Sequence, residues 1–158
     1  MIGVGDDAID FTVDCTDGPF TLSERVKKGP VLLYFYVVNY GMTCTNYMAE
    51  MNERFEDFQK RNIQLFHVNH ETIENHLEWV KHTASKYQII SDKDKEVSKA
   101  YDCIVTKAKS DKIIGNPNRG FFLVDGNMKI RYCWRAPIPK DTVPMDELFA
   151  EIDRALAD

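Results

Sequence analysis

The sequence lacks the features that assign many small proteins to a function at once. Its four cysteines include no C-x-x-C pair, which excludes a disulfide-dense scaffold and a dithiol redox centre of that type. It contains no G-x-x-x-x-G-K-S/T or G-x-G-x-x-G motif, so no sequence motif indicates nucleotide binding. The longest apolar run, residues 31–38, has eight residues, whereas a membrane-spanning helix needs ~20.

Positive charge is not in excess. The chain has 20 lysines and arginines against 25 aspartates and glutamates, a formal net charge of −5, which argues against nucleic acid as a partner. The first residues, MIGVGDDAID, do not resemble a secretory signal. We therefore expect a cytoplasmic protein with free thiols and no membrane partner. His67 and His70 lack further ligands at suitable spacing, so we expect neither a metal nor a cofactor.

The apolar pattern predicts one domain, residues 1–158, of the α/β class. Strands are predicted at residues 31–38, 63–68, 87–90, 120–124 and 128–134. Helical patterns follow each of the first three strands, and the last two strands flank a turn at Asp125-Gly126-Asn127 before a final helix. This order predicts a thioredoxin-like fold, in which helices flank a mixed central sheet.

The helical patterns also predict which side chains are buried. The first helix is predicted to bury Met48, Met51, Phe55 and Phe58, and the second to bury Ile73, Leu77 and Val80. Ser91-Asp92 is the predicted cap of the third helix. Residues 106–118 follow no clear period and are rich in Lys, Gly, Pro and Asn, which predicts a surface loop or small insertion.

Cys44 is the best candidate for a reactive thiol. It lies just after a buried strand and within the first turn of the next helix, where functional sites of open α/β sheets tend to be built. The free amides and the dipole at a helix start favour an anion, and the thiolate is the nucleophilic form of cysteine. The alternative is a small buried residue that fills the helix start, and position by itself leaves both interpretations open.

The other cysteines are predicted to serve packing. Cys15 ends a strand-like segment, and Cys133 lies within a predicted strand. Cys103 follows a predicted helix and is also a candidate resolving cysteine, if that helix end faces Cys44. A disulfide would require the two Cα atoms to lie within ~7 Å, which spacing in the sequence cannot establish.

Several segments together resemble the peroxiredoxins of the alkyl-hydroperoxide-reductase and thiol-specific-antioxidant superfamily, most of all its bacterioferritin-comigratory branch. The segments are Gly3 to Phe11, Phe20 to Ser23, Val31 to Tyr36 with Cys44-Thr45, Ile90 to Tyr101, Arg119 to Asp125 and Ile130 to Arg135. The second of these resembles the family's second hairpin strand, so the resemblance also implies an N-terminal hairpin.

The resemblance implies a thiol peroxidase, with hydroperoxide as substrate and an external thiol, either thioredoxin-like or of low molecular weight, as reductant. Cys44 would attack the peroxide, and Arg119 would stabilise the thiolate and polarise the peroxide. A monomer or a homodimer is expected. Ala49 and Ser98 occupy positions where many relatives keep a resolving cysteine, so catalysis would use one cysteine, with the external thiol or Cys103 completing the cycle.

The chain departs from the family motif P-x-x-x-T/S-x-x-C. Val37 stands in place of the proline that shields the thiolate, and Gly41 in place of the threonine whose hydroxyl engages the peroxide. Loss of such a contact often costs ~10²–10³ in rate. The hydroxyls of Thr43, Tyr40 and Thr45 are the nearby candidates to replace it.

Two further functions are consistent with the same residues. A monothiol thioredoxin-like protein would exchange disulfides through Cys44, although a single thiolate releases a reduced substrate inefficiently. A redox sensor would keep the fold and become oxidised without turnover. Trapped mixed disulfides would favour the first, and stoichiometric oxidation of Cys44 the second.

Overall fold

A seven-stranded mixed sheet lies at the centre of the computed structural model, which describes residues 1–157. The strands are β1 (Thr12–Cys15), β2 (Gly18–Thr21), β3 (Val31–Phe35), β4 (Gln64–Asn69), β5 (Gln88–Ser91), β6 (Gly120–Val124) and β7 (Ile130–Arg135). The helices are α1 (Leu22–Arg25), α2 (Met42–Glu53), α3 (Phe55–Gln59), α4 (Ile73–Thr83), α5 (Glu96–Ala100) and α6 (Met145–Ala155). Short 3₁₀ turns lie at Val26–Lys28 and Asp111–Ile113.

The strand order is β2-β1-β5-β4-β3-β6-β7, so that β5, β4 and β3 form the middle of the sheet. Strands β3, β4 and β5 pair in parallel, because helices connect each to the next. Strand β6 runs antiparallel to β3 and pairs with β7 as a hairpin. The N-terminal strands β1 and β2 form a second hairpin, antiparallel to β5. The predicted α/β class, mixed sheet and N-terminal hairpin are confirmed.

Alternation along the strands divides the core into two clusters on opposite faces of the sheet. On β6, Phe121 belongs to the first cluster and Phe122 to the second. Strand β3 follows the same rule, with Tyr34 in the first cluster and Phe35 in the second. Residue 119, which precedes β6, shares its side of the sheet with Phe121. The first cluster also contains Cys44, so residue 119 and Cys44 lie on the same face.

The predicted helix across residues 48–58 is two helices in the structure. Arg54, between α2 and α3, adopts φ −103° and ψ 18°, and its N–H donates to the Met51 carbonyl oxygen in a tighter turn. Its guanidinium also donates to the Asp57 carboxylate at 2.6 Å, which holds the start of α3 against the end of α2. The apolar period could not show this break, because the spacing between buried positions stays at three and four residues.

The buried face of α4 differs from the prediction. His76 and Trp79 are fully buried, whereas Leu77, predicted to be buried, is 49% exposed. The polar edge of His76 is accommodated, because its ring nitrogens contact the Asn69 carbonyl oxygen and the Asn39 amide, each at 3.3 Å. A pattern built on apolar residues assigns such a histidine to the wrong face.

Of the two residues predicted to cap the third helix, Asp92 contacts its start, whereas the Ser91 hydroxyl donates to the Glu71 carbonyl oxygen. The Asp92 carboxylate accepts hydrogen bonds from the backbone N–H groups of Val97 and Ser98, at 3.0 and 2.8 Å, and from the Ser98 hydroxyl. These bonds use N–H groups at the start of α5 that have no partner within the helix. None of the helices in residues 1–157 combines the length and the apolar character that crossing a membrane requires.

Candidate active site

Cys44 is the third residue of α2, and it is 5% exposed. Gly41 precedes the helix in an extended conformation, with φ −64° and ψ 143°. The Gly41 carbonyl oxygen accepts from the Thr45 N–H at 2.8 Å, which closes the first turn around Cys44. The sulfur therefore lies at the positive end of the helix, as the sequence predicted.

Arg119 lies against the Cys44 sulfur. Its Nη2 donates to Cys44 Sγ at 3.5 Å, and its Nη1 and Nε donate to the Tyr34 hydroxyl oxygen at 2.5 Å and the Pro139 carbonyl oxygen at 3.2 Å. The side chain is 1% exposed. Burial by itself would lower the pKa of Arg119, but Tyr34 and Cys44 raise it above its ordinary value. A permanently charged donor is thus fixed beside the thiol.

Tyr34 is a site residue that the sequence analysis missed. It lies in β3, is 2% exposed, and its ring packs against Phe121 at 4.9 Å between centroids. Burial raises the pKa of the Tyr34 hydroxyl well above its usual range, so the group stays a neutral phenol that accepts from Arg119. The only signal in the sequence was a tyrosine within an otherwise apolar buried run, and that pattern is equally typical of packing.

The three predicted supporting hydroxyls do not contact the sulfur. Thr45 Oγ1 donates to the Gly41 carbonyl oxygen at 2.7 Å. Tyr40 is 55% exposed, and its ring packs against Trp79 at 4.7 Å. Thr43 lines the cavity over Cys44, but its hydroxyl forms no hydrogen bond within residues 1–157. Of the three residues, only Thr43 therefore lines the cavity that a ligand of Cys44 would enter.

The two departures from the family motif have different consequences in the structure. Val37 is buried and lines the cavity, so an apolar wall stands where the motif has proline. At Gly41, an added Cβ would lie 3.8 Å from Cys44 Sγ and 3.1 Å from Val38 Cγ1. A side chain at this position would thus contact the sulfur, but its Cβ would also press on Val38, which fits glycine here.

The structure does not bring Cys103 to Cys44. Cys103 belongs to the cluster on the other face of the sheet, where its Sγ contacts the Asn118 carbonyl oxygen at 3.3 Å. It is fully buried, and burial raises the pKa of its thiol to about 12. The condition under which Cys103 could be a resolving cysteine, a helix end that faces Cys44, is not met, because the sheet separates the two side chains.

Cys15 and Cys133 also lie away from the site. Cys15 is buried in the same second cluster as Cys103, and burial raises the pKa of its thiol to about 11. Cys133 is half-buried on β7, where Arg135 Nη1 donates to its Sγ at 3.3 Å. Their positions agree with the predicted packing role.

A cavity of about 470 Å³ leads to Cys44 and Arg119. Its walls come from residues 37–38, 41–44, 107–110, 113 and 138–140, most of them apolar. The volume lies within the ~300–1,000 Å³ typical of small-molecule sites. The segment 106–118, predicted as a surface loop, is irregular apart from one 3₁₀ turn, and it supplies one wall of this cavity.

His67 lies in β4, and His70 directly follows that strand. His67 is fully buried between Tyr34 and Tyr87, and burial lowers its pKa to about 3. Its two ring nitrogens have no hydrogen-bond partner within residues 1–157. Within the same residues, no three or more His, Cys, Asp or Glu side chains are grouped in a way that could hold a metal ion.

Comparison with known proteins gives consistent matches. The sequence pattern described as the AhpC/TSA family matches residues 4–133. Peroxiredoxin 2 of Picrophilus torridus is 31% identical over 145 residues, which cover 88% of this chain and 68% of that protein. A peroxiredoxin of Thermoplasma volcanium is 31% identical over 159 residues, 97% of this chain and 74% of that protein.

Solved structures share the fold at lower identity. A mutant of peroxiredoxin 6 of Arenicola marina superposes with a TM-score of 0.89 at 16% identity, covering 99% of this chain and 75% of that one. A mutant of PrxQ of Xylella fastidiosa superposes with a TM-score of 0.84 at 21% identity, covering 100% and 99%.

Proposed function

The chain belongs to the AhpC/TSA family of peroxiredoxins, and we propose that it reduces hydroperoxides with Cys44 as the nucleophile. The observation that carries the proposal is the contact between the Arg119 guanidinium and the Cys44 sulfur at the base of a cavity. A fixed cation stabilises the thiolate and can also donate to a peroxide oxygen, where charge develops during the reaction.

The proposed chemistry has two stages. The Cys44 thiolate attacks the terminal peroxide oxygen, an S–O bond forms, the O–O bond breaks, and the leaving alkoxide takes a proton to become an alcohol or water. The product is a sulfenic acid at Cys44. An external thiol then attacks that sulfur, forms a mixed disulfide and releases water, and a second thiol frees Cys44 as the external disulfide departs.

A single-cysteine cycle is supported by the positions of the other thiols. Cys103 lies behind the sheet, and Ala49 and Ser98 carry no thiol. The external reductant therefore has to reach Cys44 through the cavity, which a low-molecular-weight thiol or an extended thiol-bearing segment of a protein can do.

The burial of Cys44 favours a peroxidase over a disulfide-exchange protein. A folded disulfide substrate would have to bring its sulfur to a thiol that is 5% exposed. A hydroperoxide group, in contrast, is small enough to enter the cavity. Turnover, rather than one oxidation event per molecule, separates the peroxidase from the redox sensor.

The direct test is oxidation of the reduced protein by one equivalent of hydroperoxide. We expect the mass of the Cys44 peptide to increase by one oxygen, dimedone to trap the sulfenic acid, and excess dithiothreitol to sustain catalytic peroxide consumption. A disulfide between Cys44 and Cys103 would overturn the single-cysteine cycle. Peroxide consumption that stops after one equivalent with excess thiol present would instead favour the redox sensor.

Tyr34→Phe tests whether the phenol holds Arg119 in place. The change removes the acceptor of Arg119 Nη1, and a hydrogen bond to a charged group is worth ~1.5–3 kcal/mol. We expect the rate of Cys44 oxidation in single-turnover experiments to fall by roughly tenfold or more, with the protein still folded.

Tyr36→Phe is the matched control, because Tyr36 directly follows β3, belongs to the same core cluster as Tyr34 and donates to Asn39 Oδ1, not to Arg119. We expect it to react within about twofold of the unmodified protein. Equal losses in both variants would contradict a specific role for Tyr34 and would indicate a general effect of core polarity.

A further inference from the structure

The segment between β3 and α2, residues 36–41, contains a buried polar side chain that the proposed chemistry does not use. Asn39 is 7% exposed. It lies between Val38 and Gly41, and both of these line the cavity beside Cys44. A buried amide needs hydrogen-bond partners, so the partners of Asn39 indicate what fixes this part of the cavity wall.

Those partners are Tyr36 and His76. The Tyr36 hydroxyl lies 2.5 Å from Asn39 Oδ1, and His76 Nδ1 lies 3.3 Å from Asn39 Nδ2. The other ring nitrogen, His76 Nε2, lies 3.3 Å from the Asn69 carbonyl oxygen. Asn69 ends β4, and its Nδ2 donates to the Tyr36 carbonyl oxygen at 2.8 Å. His76, on α4, therefore joins the segment before Cys44 to the end of β4.

One arrangement of protons satisfies every group in this network. The Asn69 carbonyl oxygen can only accept, so His76 Nε2 carries the ring proton. In a neutral imidazole Nδ1 is then an acceptor, so Asn39 Nδ2 donates to it and Asn39 Oδ1 accepts from the Tyr36 hydroxyl. Burial lowers the pKa of His76 to about 4, which keeps the ring neutral at neutral pH. A second ring proton would set an N–H against the Asn39 amide N–H and break this contact.

The position of Asn39 bears on Cys44 through the backbone. Tyr40, which follows Asn39, adopts a left-handed conformation with φ 65°, which residues other than glycine rarely take. Such a conformation persists where the surrounding structure holds it. Gly41 comes next, and its carbonyl oxygen closes the first turn of α2 around Cys44. A shift of Asn39 would therefore move both the cavity wall at Val38 and the helix start.

We propose that His76 is a positioning residue for the oxidation of Cys44: its neutral imidazole holds Asn39, and Asn39 holds the cavity wall and the helix start beside the sulfur. The proposal rests on the proposed peroxidase function and adds a residue of α4 to it. His76 does not line the cavity, so it acts on the reaction through Asn39. Tyr36→Phe leaves the contact between His76 and Asn39 in place, which agrees with the small effect expected for that variant.

Two substitutions at His76 separate its hydrogen bonds from its bulk. A glutamine amide has both a donor and an acceptor, so His76→Gln can repeat the bonds to Asn39 and Asn69, whereas His76→Leu can form neither. Single-turnover oxidation of Cys44 by hydrogen peroxide should be ~10- to 100-fold slower in His76→Leu, the scale for misplaced reacting groups, and within about threefold of the unmodified protein in His76→Gln. Circular dichroism establishes that each sample is folded. Equal slowing in both variants would overturn the proposal.

Asn39→Leu should slow the oxidation to the same extent as His76→Leu. The double variant should lose little more than either single variant, because both substitutions remove one contact. The matched control is Asn52→Leu, since Asn52 is also on α2 and its Nδ2 donates to the Thr83 carbonyl oxygen at the end of α4, away from the cavity. Asn52→Leu should lower the free energy of unfolding without slowing the oxidation. If it slows the oxidation as much as Asn39→Leu, loss of stability explains both results and the proposal fails.

Nuclear magnetic resonance checks the assigned tautomer directly. In long-range ¹H–¹⁵N spectra of the unmodified protein, the single ring proton of His76 should be on Nε2. A proton on Nδ1, or a doubly protonated ring at neutral pH, would overturn the proposal.

Alkylation by iodoacetamide, followed by mass on the Cys44 peptide, separates this proposal from the proposed function. Alkylation needs the thiolate and access to it, but no oriented peroxide. Cys44 is 5% exposed, so His76→Leu and Asn39→Leu, which free the neighbouring segment, should raise the alkylation rate while they lower the oxidation rate. If hydrogen peroxide leaves Cys44 unchanged in every variant but the leucine variants are alkylated faster than His76→Gln, the peroxidase fails and the positioning contact stands. If oxidation and alkylation slow together, the substitutions act on the ionisation of the thiol and the positioning role is wrong.

Discussion

Replacing Cys44 with serine is expected to abolish hydroperoxide reduction. A serine hydroxyl at the same position is not ionised at neutral pH and cannot form a sulfenic acid, so the nucleophile is lost while the shape of the helix start is kept. Removing the nucleophile of a covalent mechanism costs far more than removing a supporting contact, and we expect a loss of at least ~10³-fold in turnover. Peroxide consumption with excess thiol is the measurement.

Cys103→Ser is the matched control for that result. It makes the same substitution at a buried thiol on the opposite face of the sheet. Turnover with an external thiol should stay within about twofold of the unmodified protein, once activity is corrected for the folded fraction by thermal unfolding. The nucleophile assignment would be refuted if Cys44→Ser retained turnover, and Cys103 would become the resolving cysteine if its variant stopped after one oxidation.

Replacing Arg119 with glutamine is expected to lower the rate of Cys44 oxidation by ~10²–10³, the usual cost of losing one oriented donor beside a developing charge. The substitution removes the positive charge beside the sulfur and the donors to Tyr34 and Pro139. Arg119→Lys should recover only part of the rate, because a single ammonium cannot meet three acceptors in the geometry of the guanidinium fork. Single-turnover oxidation at several pH values measures both variants.

Arg135→Gln is the control that separates an effect on the rate of Cys44 oxidation from an effect on the stability of the fold. The Arg135 guanidinium also contacts a cysteine sulfur, that of Cys133, and donates to the carbonyl oxygens of Ile2 and Tyr101, but it lies away from the cavity. Its loss should lower the free energy of unfolding without slowing Cys44 oxidation in the folded protein. Equal rates for the Arg119 and Arg135 variants would show that the contact with Cys44 contributes nothing to reactivity.

Local patterns in the sequence were enough to predict most of the fold. The apolar run before Gly41 predicted the buried strand β3, and the Asp125-Gly126-Asn127 turn predicted the hairpin of β6 and β7. A cap at Ser91-Asp92 was predicted for the same reason, since the hydrogen bonds that Asp92 accepts join groups only a few residues apart. The assignment of α4 failed where a polar side chain, His76, was buried through contacts outside its own helix, with Asn39 and Asn69.

The candidate site also combines features that the sequence predicted with features that only the structure shows. The position of Cys44 at a helix start follows from the sequence, because a strand, a short break and a helical period are all local. The resemblance to the family pointed to Arg119. The sequence could not show that Tyr34 holds Arg119, that the segment 106–118 walls the cavity, or that a side chain at Gly41 would press on Val38.

Sequence by itself therefore determined the order of strands and helices and the thiol placed at the first turn of α2. Only the tertiary structure decided which groups surround that thiol. Cys103 illustrates the difference. Gly120 and Phe121 are adjacent on β6 and face opposite sides of the sheet, Gly120 beside Cys103 and Phe121 on the side of Cys44. Contacts across a sheet depend on strand register and on which face each side chain takes, and both are set by long-range packing.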